Sequence, residues 1–486
     1  MALGDFEPKL MWKQFEKILT IPRESGKEEK IAAYVISEAQ RMGLEYRQDK
    51  IGNIIIAKPA SPGHESSPAV VLQSHLDMVC EKNADVDHDF AVDPIKTEIK
   101  DGYLTAIGTT LGADNGIGVA AQLAVMEDAS LVHGPLESLF TVDEEHGMGG
   151  ARALKADFVK GRTLLNLDSE EIEMVYVGCA GGIDTNVSFN LGQESCPADA
   201  VGLKFSVKGL RGGHSGCDIQ FTRGNAVKLL ARVIWSLNET FAIGLAEIRG
   251  GNRRNAIARE GEAVICVPAQ QVEAIQKAVA VCEGWFKDEY GSVETELKIT
   301  VKNTDIPSGI FYGAHTGRLL DFLIAAPHGV AAMSPDIEGL VETSTNMAAV
   351  ITENDLVNVQ FMTRSSIDSG RDMLCATIAS ATRLAGGHFK HSGKYSGWKP
   401  NMDSRVLKTA ARAHENVFGF APEIKAIHAG LECGIIGQQI PDMDMVSFGP
   451  QLENPHSPAE QLQIDSVEKF WKHMAETLSL LAQEKE

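Results

Sequence analysis

Leu139-Phe140-Thr141-Val142-Asp143-Glu144-Glu145-His146-Gly147-Met148-Gly149-Gly150 is an apolar run that ends in three consecutive acids and a glycine-rich turn. A short apolar run bounded by turn signals reads as a buried strand, and in open α/β sheets ligands collect beyond the strands' carboxyl ends. The run is therefore placed to deliver carboxylates to a pocket. Acidic pairs also arise from composition alone in a chain with 66 Asp and Glu, and Glu28-Glu29 and Glu170-Glu171 read as such pairs. What sets Glu144-Glu145 apart is the company it keeps along the chain.

Upstream, Ile51 to Ala57 and Ala69 to Val79 read as two further strands, after a pair of helices carrying Trp12, Phe15, Ile18 and Leu19 on the first and Ile31, Tyr34 and Val35 on the second. His75 and Asp77 lie two apart near the end of the second strand, so in an extended chain they face one side. That spacing lets an imidazole bind a metal while the carboxylate holds the ring. It equally suits two polar groups satisfied by backbone and water. The segment Gly108-Thr109-Thr110-Leu111-Gly112-Ala113-Asp114-Asn115-Gly116 then leads into a helix that is small and apolar on more than one face, as a helix buried against a sheet would be. Asp114 stands at its start, where an acid serves as an N-cap or meets a metal. Downstream, Thr163-Leu164-Leu165-Asn166-Leu167-Asp168 repeats the design of a strand ending in an acid. Strands alternating with helices in this way predict an α/β domain with a mainly parallel sheet.

At 486 residues the chain exceeds what one hydrophobic core usually supports. Near residue 187 the pattern changes. Strands expected at Lys204 to Leu210, Glu262 to Val267, Glu296 to Val301, Thr345 to Ile351 and Asn358 to Arg364 alternate polar and apolar residues, with helices from Asn225 to Leu237 and Met373 to Leu384 between them. This predicts an inserted α+β domain, an antiparallel sheet covered on one face, long enough to hold two such units. We expect residues 1–186 and 389–486 to form the first domain and 187–388 the insertion. In the returning segment, Ser457 and Glu460 have capping-box spacing with Pro458 suited to a first helical turn, and a final helix carries Val467, Phe470, Trp471, Met474, Leu478 and Leu481 as a core stripe.

Composition narrows the function. A net charge of -21 with no Lys/Arg cluster argues against nucleic acid as a partner. No apolar segment approaches the roughly 20 residues that span a bilayer, and the N-terminus lacks the basic and apolar regions of a secretion signal. Eight scattered cysteines without a CxxC pair fit reduced thiols, so a cytoplasmic protein is expected.

The strand-end and loop candidates are thus His75, Asp77, Asp114, Glu144, Glu145, Asp168 and His456. Imidazole and carboxylate donors without thiolate suit Zn, Mn or Co, and five ligands with one shared carboxylate suffice for two ions. With these residues in place, the chain resembles the aminoacylhistidine dipeptidases of the di-zinc aminoacylase/carboxypeptidase superfamily. The likeness is carried by Ser74-His75-Leu76-Asp77-Met78-Val79, by Gly108 to Gly116, by Gly178-Cys179-Ala180-Gly181-Gly182-Ile183-Asp184, by Gly212-Gly213-His214-Ser215-Gly216 and by His428-Ala429-Gly430-Leu431-Glu432-Cys433-Gly434.

The resemblance implies a di-zinc catalytic domain with a lid. His75, Asp114 and Asp168 would hold one Zn2+ and Asp114, Glu145 and His456 the other, with Mn2+ or Co2+ as possible substitutes. Asp77 would orient His75, and Glu144 would be the general base for a water activated by the two metals. In the lid, Asn255 and Arg364 would bind the substrate's terminal carboxylate, His214 would polarise the scissile carbonyl, and Gly430 would line the pocket. The implied activity is hydrolysis of unblocked dipeptides, Xaa-His included. A tripeptidase, an N-acyl amino-acid deacylase or a metal-binding protein without catalysis are the alternatives. The implied assembly is a homodimer, although a lid this long leaves His214 able to act within its own chain. Asp143 and His146 depart from the less polar neighbours expected beside the glutamates.

Overall fold

The computed structural model describes residues 3–484. The chain divides into one unit of residues Met1–Cys179, Trp398–Ala426 and Leu431–Glu486, and a second of Ala180–Gly397 and Ile427–Gly430. The divisions fall outside 186/187 and 388/389, because the strands Gly181–Asn190 and His388–Tyr395 pair with each other and belong to the second unit. Both strands begin or break on small and polar residues, which hid them from periodicity.

The first unit is built on an eight-stranded sheet in the order Glu45–Gln48, Ile54–Lys58, Leu136–Thr141, Val70–His75, Thr163–Asn166, Asp444–Ser447, Met174–Cys179, Glu423–Ile427. Its central four strands, from Leu136–Thr141 to Asp444–Ser447, run parallel, while Ile54–Lys58 on Leu136–Thr141, Glu45–Gln48 on Ile54–Lys58 and Met174–Cys179 on Asp444–Ser447 pair antiparallel. Strands buried on both faces need continuous apolar runs, and Leu136–Thr141 and Val70–His75 are buried at every position. The helix Ala113–Glu127 meets the same need with alanines, glycines and valines, and is buried over nearly its whole length. The α/β class expected from the strand and helix pattern is the class observed.

Two expectations in this unit are corrected. Residues 457–460 form no helical turn; instead, Glu460 lies buried and its carboxylate accepts hydrogen bonds from the amides of Leu111, Gly112, Ala113 and Asp114 at 2.7–3.3 Å. It caps the helix Ala113–Glu127 from a distant loop, supplying the negative charge that unsatisfied N–H groups and the helix dipole favour. The final helix, Ile464–Ala482, buries Val467, Phe470, Met474, Leu478 and Leu481, but Trp471 is only half-buried.

In the second unit all the pairings of one nine-stranded sheet are antiparallel, in the order Lys298–Thr304, Ala200–Lys208, Gly261–Pro268, Gly244–Gly250, Val341–Glu353, Leu356–Ser365, Gly181–Asn190, His388–Tyr395, with Gly329–Met333 paired to Val341–Glu353. The insertion is therefore one continuous sheet, not two separate units, because Gly244–Gly250 joins its halves. Helices Ala226–Asn238, Val272–Tyr290, Gly313–Ala325 and Asp368–Leu384 contribute Leu230, Val279, Phe322 and Ile378 to one core with Phe205, Ile265 and Phe361 from the strands. Among the described residues, no helix is long and apolar enough to cross a membrane.

Replacing Glu460 by Gln puts an amide donor against a row of amide donors. We expect E460Q to lower stability toward urea by about 1.5–3 kcal/mol, the worth of hydrogen bonds to a buried charge, followed by circular dichroism. Wild-type stability would show that the loop's position does not depend on this cap.

Candidate active site

The four parallel strands of the first unit each deliver polar groups just past their carboxyl ends. Val70–His75 ends in His75 and runs on to Asp77; Leu136–Thr141 leads to Glu144 and Glu145; Thr163–Asn166 leads to Asp168; Asp444–Ser447 leads into the loop that carries His456. Donor atoms of His75, Asp114 and Asp168 lie within 4.8 Å of one another, as do those of Asp114, Glu145 and His456, and those of His75, Glu144 and Glu145. Asp114 faces both ways. Its Oδ1 is 2.9 Å from His75 Nε2 and its Oδ2 is 3.1 Å from His456 Nε2. His456 Nε2 is also 3.2 Å from Glu145 Oε2, and His75 Nε2 is 3.5 Å from Asp168 Oδ1. Asp114 makes no N-cap bond of its own, since Glu460 already serves that helix end.

Asp77 does more than face His75. Its Oδ1 stands 3.4 Å from His75 Nδ1 and accepts from the Glu144 amide at 3.0 Å, while Oδ2 accepts from the Glu145 amide at 3.1 Å and from Ser25 Oγ at 2.7 Å. One buried carboxylate thus fixes an imidazole and the backbone of the acidic turn together. Burial works to raise its pKa, but the His75 contact, Ser25 and the Glu144 amide outweigh that and hold it well below the usual carboxylate range. The turn is closed from behind by Asn53, which accepts from the Val142 amide and donates to Gly150 O. A Cβ at Gly150 would stand 2.4 Å from Asn53 Oδ1 and 2.5 Å from Val142 O, so only glycine fits. Asp143 and His456 adopt left-handed backbone, with φ of 57° and 58°, a strained conformation that clusters at functional sites. His146 is exposed and pairs with Asp143 at 3.5 Å, away from the cluster.

Several surrounding groups had no signal in the sequence. Arg23, fully enclosed, donates to Leu76 O, to Asp77 O at 2.7 Å and to Gly112 O, tying the loop before Asp114 to the strand end at Asp77. Asn115 Nδ2 donates to Asp168 Oδ1. Glu28, taken from composition as one of a chance pair, accepts from the Asp143 amide at 3.0 Å. Glu432 is completely buried; its Oε2 is 2.5 Å from Gln73 Nε2 and 2.7 Å from Thr141 Oγ1. Glu170, from the other chance pair, is raised to about 8 by burial and by the charges of Asp114 and Asp168.

This cluster fits divalent cations. Burial first, and then the neighbouring carboxylates, push Asp168 up to about 7, Glu432 to about 7 and Glu144 well above the ordinary range, because the chain supplies too little positive charge to neutralise them. Among the described residues Glu145 Oε1 is buried with no hydrogen-bond partner, an oxygen left over for a cation. The donors are carboxylate oxygens and imidazole nitrogens without thiolate, the set that suits Zn, Mn or Co.

The second unit gathers the remaining predicted residues. The short ladder of Gly213–His214 against Ala256–Ile257 puts His214 opposite Ala256, and Asn255 O accepts from the Ser215 amide at 2.7 Å. His214 Nδ1 accepts from the amides of Gly216 and Cys217 at 3.3 and 3.1 Å, which leaves the ring proton on Nε2. Burial, and then the charge of Arg364, lower its pKa to about 4, so the ring is a neutral N–H donor at physiological pH. Arg364 is buried, and its Nε has no acceptor among the described residues. Asn255 is exposed and Gly430 half-buried. His428, two residues before Gly430, is buried with Nε2 2.7 Å from Ser344 Oγ.

Residues 71–480 match peptidase family M20/M25/M40. The cytosol non-specific dipeptidase of Escherichia coli strain K12 is 41% identical over 476 residues, 98% of either chain. A crystal structure of aminoacylhistidine dipeptidase from Vibrio alginolyticus shares 43% identity over 98% of both chains, with a TM-score of 0.92. The aminopeptidase PepT of Bacillus cereus, at 17% identity over 99% of this chain and 100% of its own, has a TM-score of 0.58 and shares the fold. A family match over most of the chain, joined to this identity over nearly its full length, places the protein in peptidase family M20/M25/M40.

Proposed function

We propose that this protein is a cytoplasmic, metal-dependent dipeptidase that hydrolyses unblocked dipeptides, Xaa-His among them, with two Zn2+ per chain in a homodimer. The names of relatives that match over 98% of the chain support the reaction class. The observation that carries the metal reading is Asp114, whose two oxygens face two different imidazoles at 2.9 and 3.1 Å, as a carboxylate shared between two ions requires. In this reading His75 and Asp168 complete one ion's ligands, and Glu145 and His456 the other's. Mn2+ or Co2+ would serve the same donors. Bound there, the cations supply the charge that makes water nucleophilic near neutrality and polarises a carbonyl.

The chain's own residues do the rest. Glu144 takes the proton of the attacking water on a carboxylate oxygen and returns it to the leaving amine nitrogen. Its amide, pinned to Asp77 Oδ1 at 3.0 Å, fixes the backbone from which the carboxylate works. A carboxyl shifted upward by burial suits a base that must also act as an acid near neutral pH. His214, neutral and protonated on Nε2, donates to the carbonyl oxygen as it gains charge, a contact typically worth about 2.7–4 kcal/mol. Arg364, a buried guanidinium without a carboxylate partner among the described residues, takes the free C-terminal carboxylate of the substrate together with Asn255, and Gly430 lines the pocket.

The purified protein should cleave an Xaa-His dipeptide, lose that activity to a chelator, and regain it with zinc, manganese or cobalt. Cleavage that survives complete removal of metal would refute the metal dependence; cleavage of N-acyl amino acids but no dipeptide would move the assignment to a deacylase. For Glu144→Gln we expect kcat to fall by about 10²–10⁴ while metal content by mass spectrometry stays at the wild-type value. Near-normal turnover would remove Glu144 from its role as base.

A further inference from the structure

The arginine assigned to the substrate carboxylate sits in a transverse row of residues whose other members have no assigned role. Strand register sets Ser344 opposite Arg364, Arg364 opposite Gly182, and Gly182 opposite Tyr395. Residues paired across strands share a face of the sheet. Val357, Val359 and Phe361 point into the helix-covered core, so Arg364, of opposite parity, belongs to the other face. Among the described residues its one side-chain hydrogen bond is from Nη1 to the Tyr395 hydroxyl at 3.1 Å, and its Nε is buried without an acceptor.

Tyr395 reaches Arg364 only because position 182 has no side chain. A Cβ at Gly182 would stand 2.6 Å from Tyr395 Cε1 and 2.7 Å from Cζ, inside any real contact distance. The ring lies over the glycine and brings its oxygen to the guanidinium. The backbone of Tyr395 is fixed in turn, its carbonyl accepting from Arg371 Nη1 at 2.6 Å. On the far side, Ser344 is fully buried and bonded to His428 Nε2. Burial and the charge of Arg364 lower His428 to about 3, so that flank is neutral. The row thus orients the guanidinium and offers it no counter-charge. A buried cation so placed is strongly unfavourable until an anion arrives.

We propose that Tyr395 is the positioning residue for Arg364, that Gly182 makes the space it needs, and that together they aim the guanidinium at the substrate's C-terminal carboxylate and so select for a free C-terminus. This rests on the assignment of Arg364 to that carboxylate. The glycines of the Gly178-to-Asp184 segment, otherwise without a task in the reaction, gain one at Gly182.

The test is steady-state kinetics of the full-length metal-loaded enzyme on a dipeptide and on its C-terminal amide, for Tyr395→Phe, Gly182→Ala, Arg364→Lys and the Tyr395→Phe/Arg364→Lys pair. Losing one hydrogen bond to the charged group should raise the KM of the free dipeptide about tenfold in Tyr395→Phe, with kcat within about twofold and the amide unaffected. Gly182→Ala should reproduce that split, and adding Tyr395→Phe to Arg364→Lys should change KM less than about twofold. If Arg364→Lys abolishes the preference for acid over amide while Tyr395→Phe leaves it intact, the positioning role is wrong and the assignment of Arg364 stands. If Arg364→Lys leaves the preference intact, that assignment fails and the inference falls with it. Equal loss on acid and amide in Tyr395→Phe would mark a merely structural tyrosine and also overturn it.

Discussion

Carboxylates held together out of water repel, and the first unit is organised around tolerating that repulsion. At 4 Å, and an effective dielectric constant near 20, each pair of unit charges costs about 4 kcal/mol. Asp114, Glu144, Glu145 and Asp168 converge on two imidazoles with donor atoms within 4.8 Å in each group. Left to the chain alone, several of these acids must hold protons, because burial first, and then the neighbouring carboxylates, push Asp168 and Glu144 upward. Divalent cations remove the conflict directly. The same crowding that would destabilise an empty pocket makes a strong cation site.

Such a cluster stays in place only if its backbone cannot relax outward. Three buried groups prevent it. Asp77 holds the amides of Glu144 and Glu145, Arg23 bonds the carbonyls of Asp77 and Gly112, and Glu460 gathers the amides of residues 111–114. All three act through main-chain atoms, so they fix the positions of the acids without competing for the acids' own oxygens. Parallel strands supply the common origin. Four of them end at one edge of one sheet, and the residues beyond those ends meet without long excursions.

How much of this could be read in the sequence follows from what each feature depends on. Apolar runs such as Val70-Val71-Leu72 and Leu139-Phe140 announce buried strands because burial on both faces permits little else, and the acids just past them announce a site. Periodicity could not separate Asp114 as a cap from Asp114 as a shared carboxylate; the likeness of the surrounding motif to a known family supplied that reading. Glu28, Glu170, Glu432 and Glu460 are illegible because an acid turned toward the interior looks, in sequence, like any surface acid. Ser457 and Glu460 have the spacing of a local cap, yet the carboxylate finds its amides some 350 residues back along the chain. Gly181–Asn190 and Gly244–Gly250 carry glycines that read as turns, and neither stands among the strands expected for the inserted antiparallel sheet. Long-range register, not local propensity, decides both cases.

The central claim is that Asp114 is shared between two ions. Anomalous diffraction from crystals of the protein loaded with zinc tests it most directly. The account predicts two peaks per chain on either side of the Asp114 carboxylate, one against His75 and Asp168 and the other against Glu145 and His456. A single peak, or two peaks of which only one touches Asp114, would contradict it.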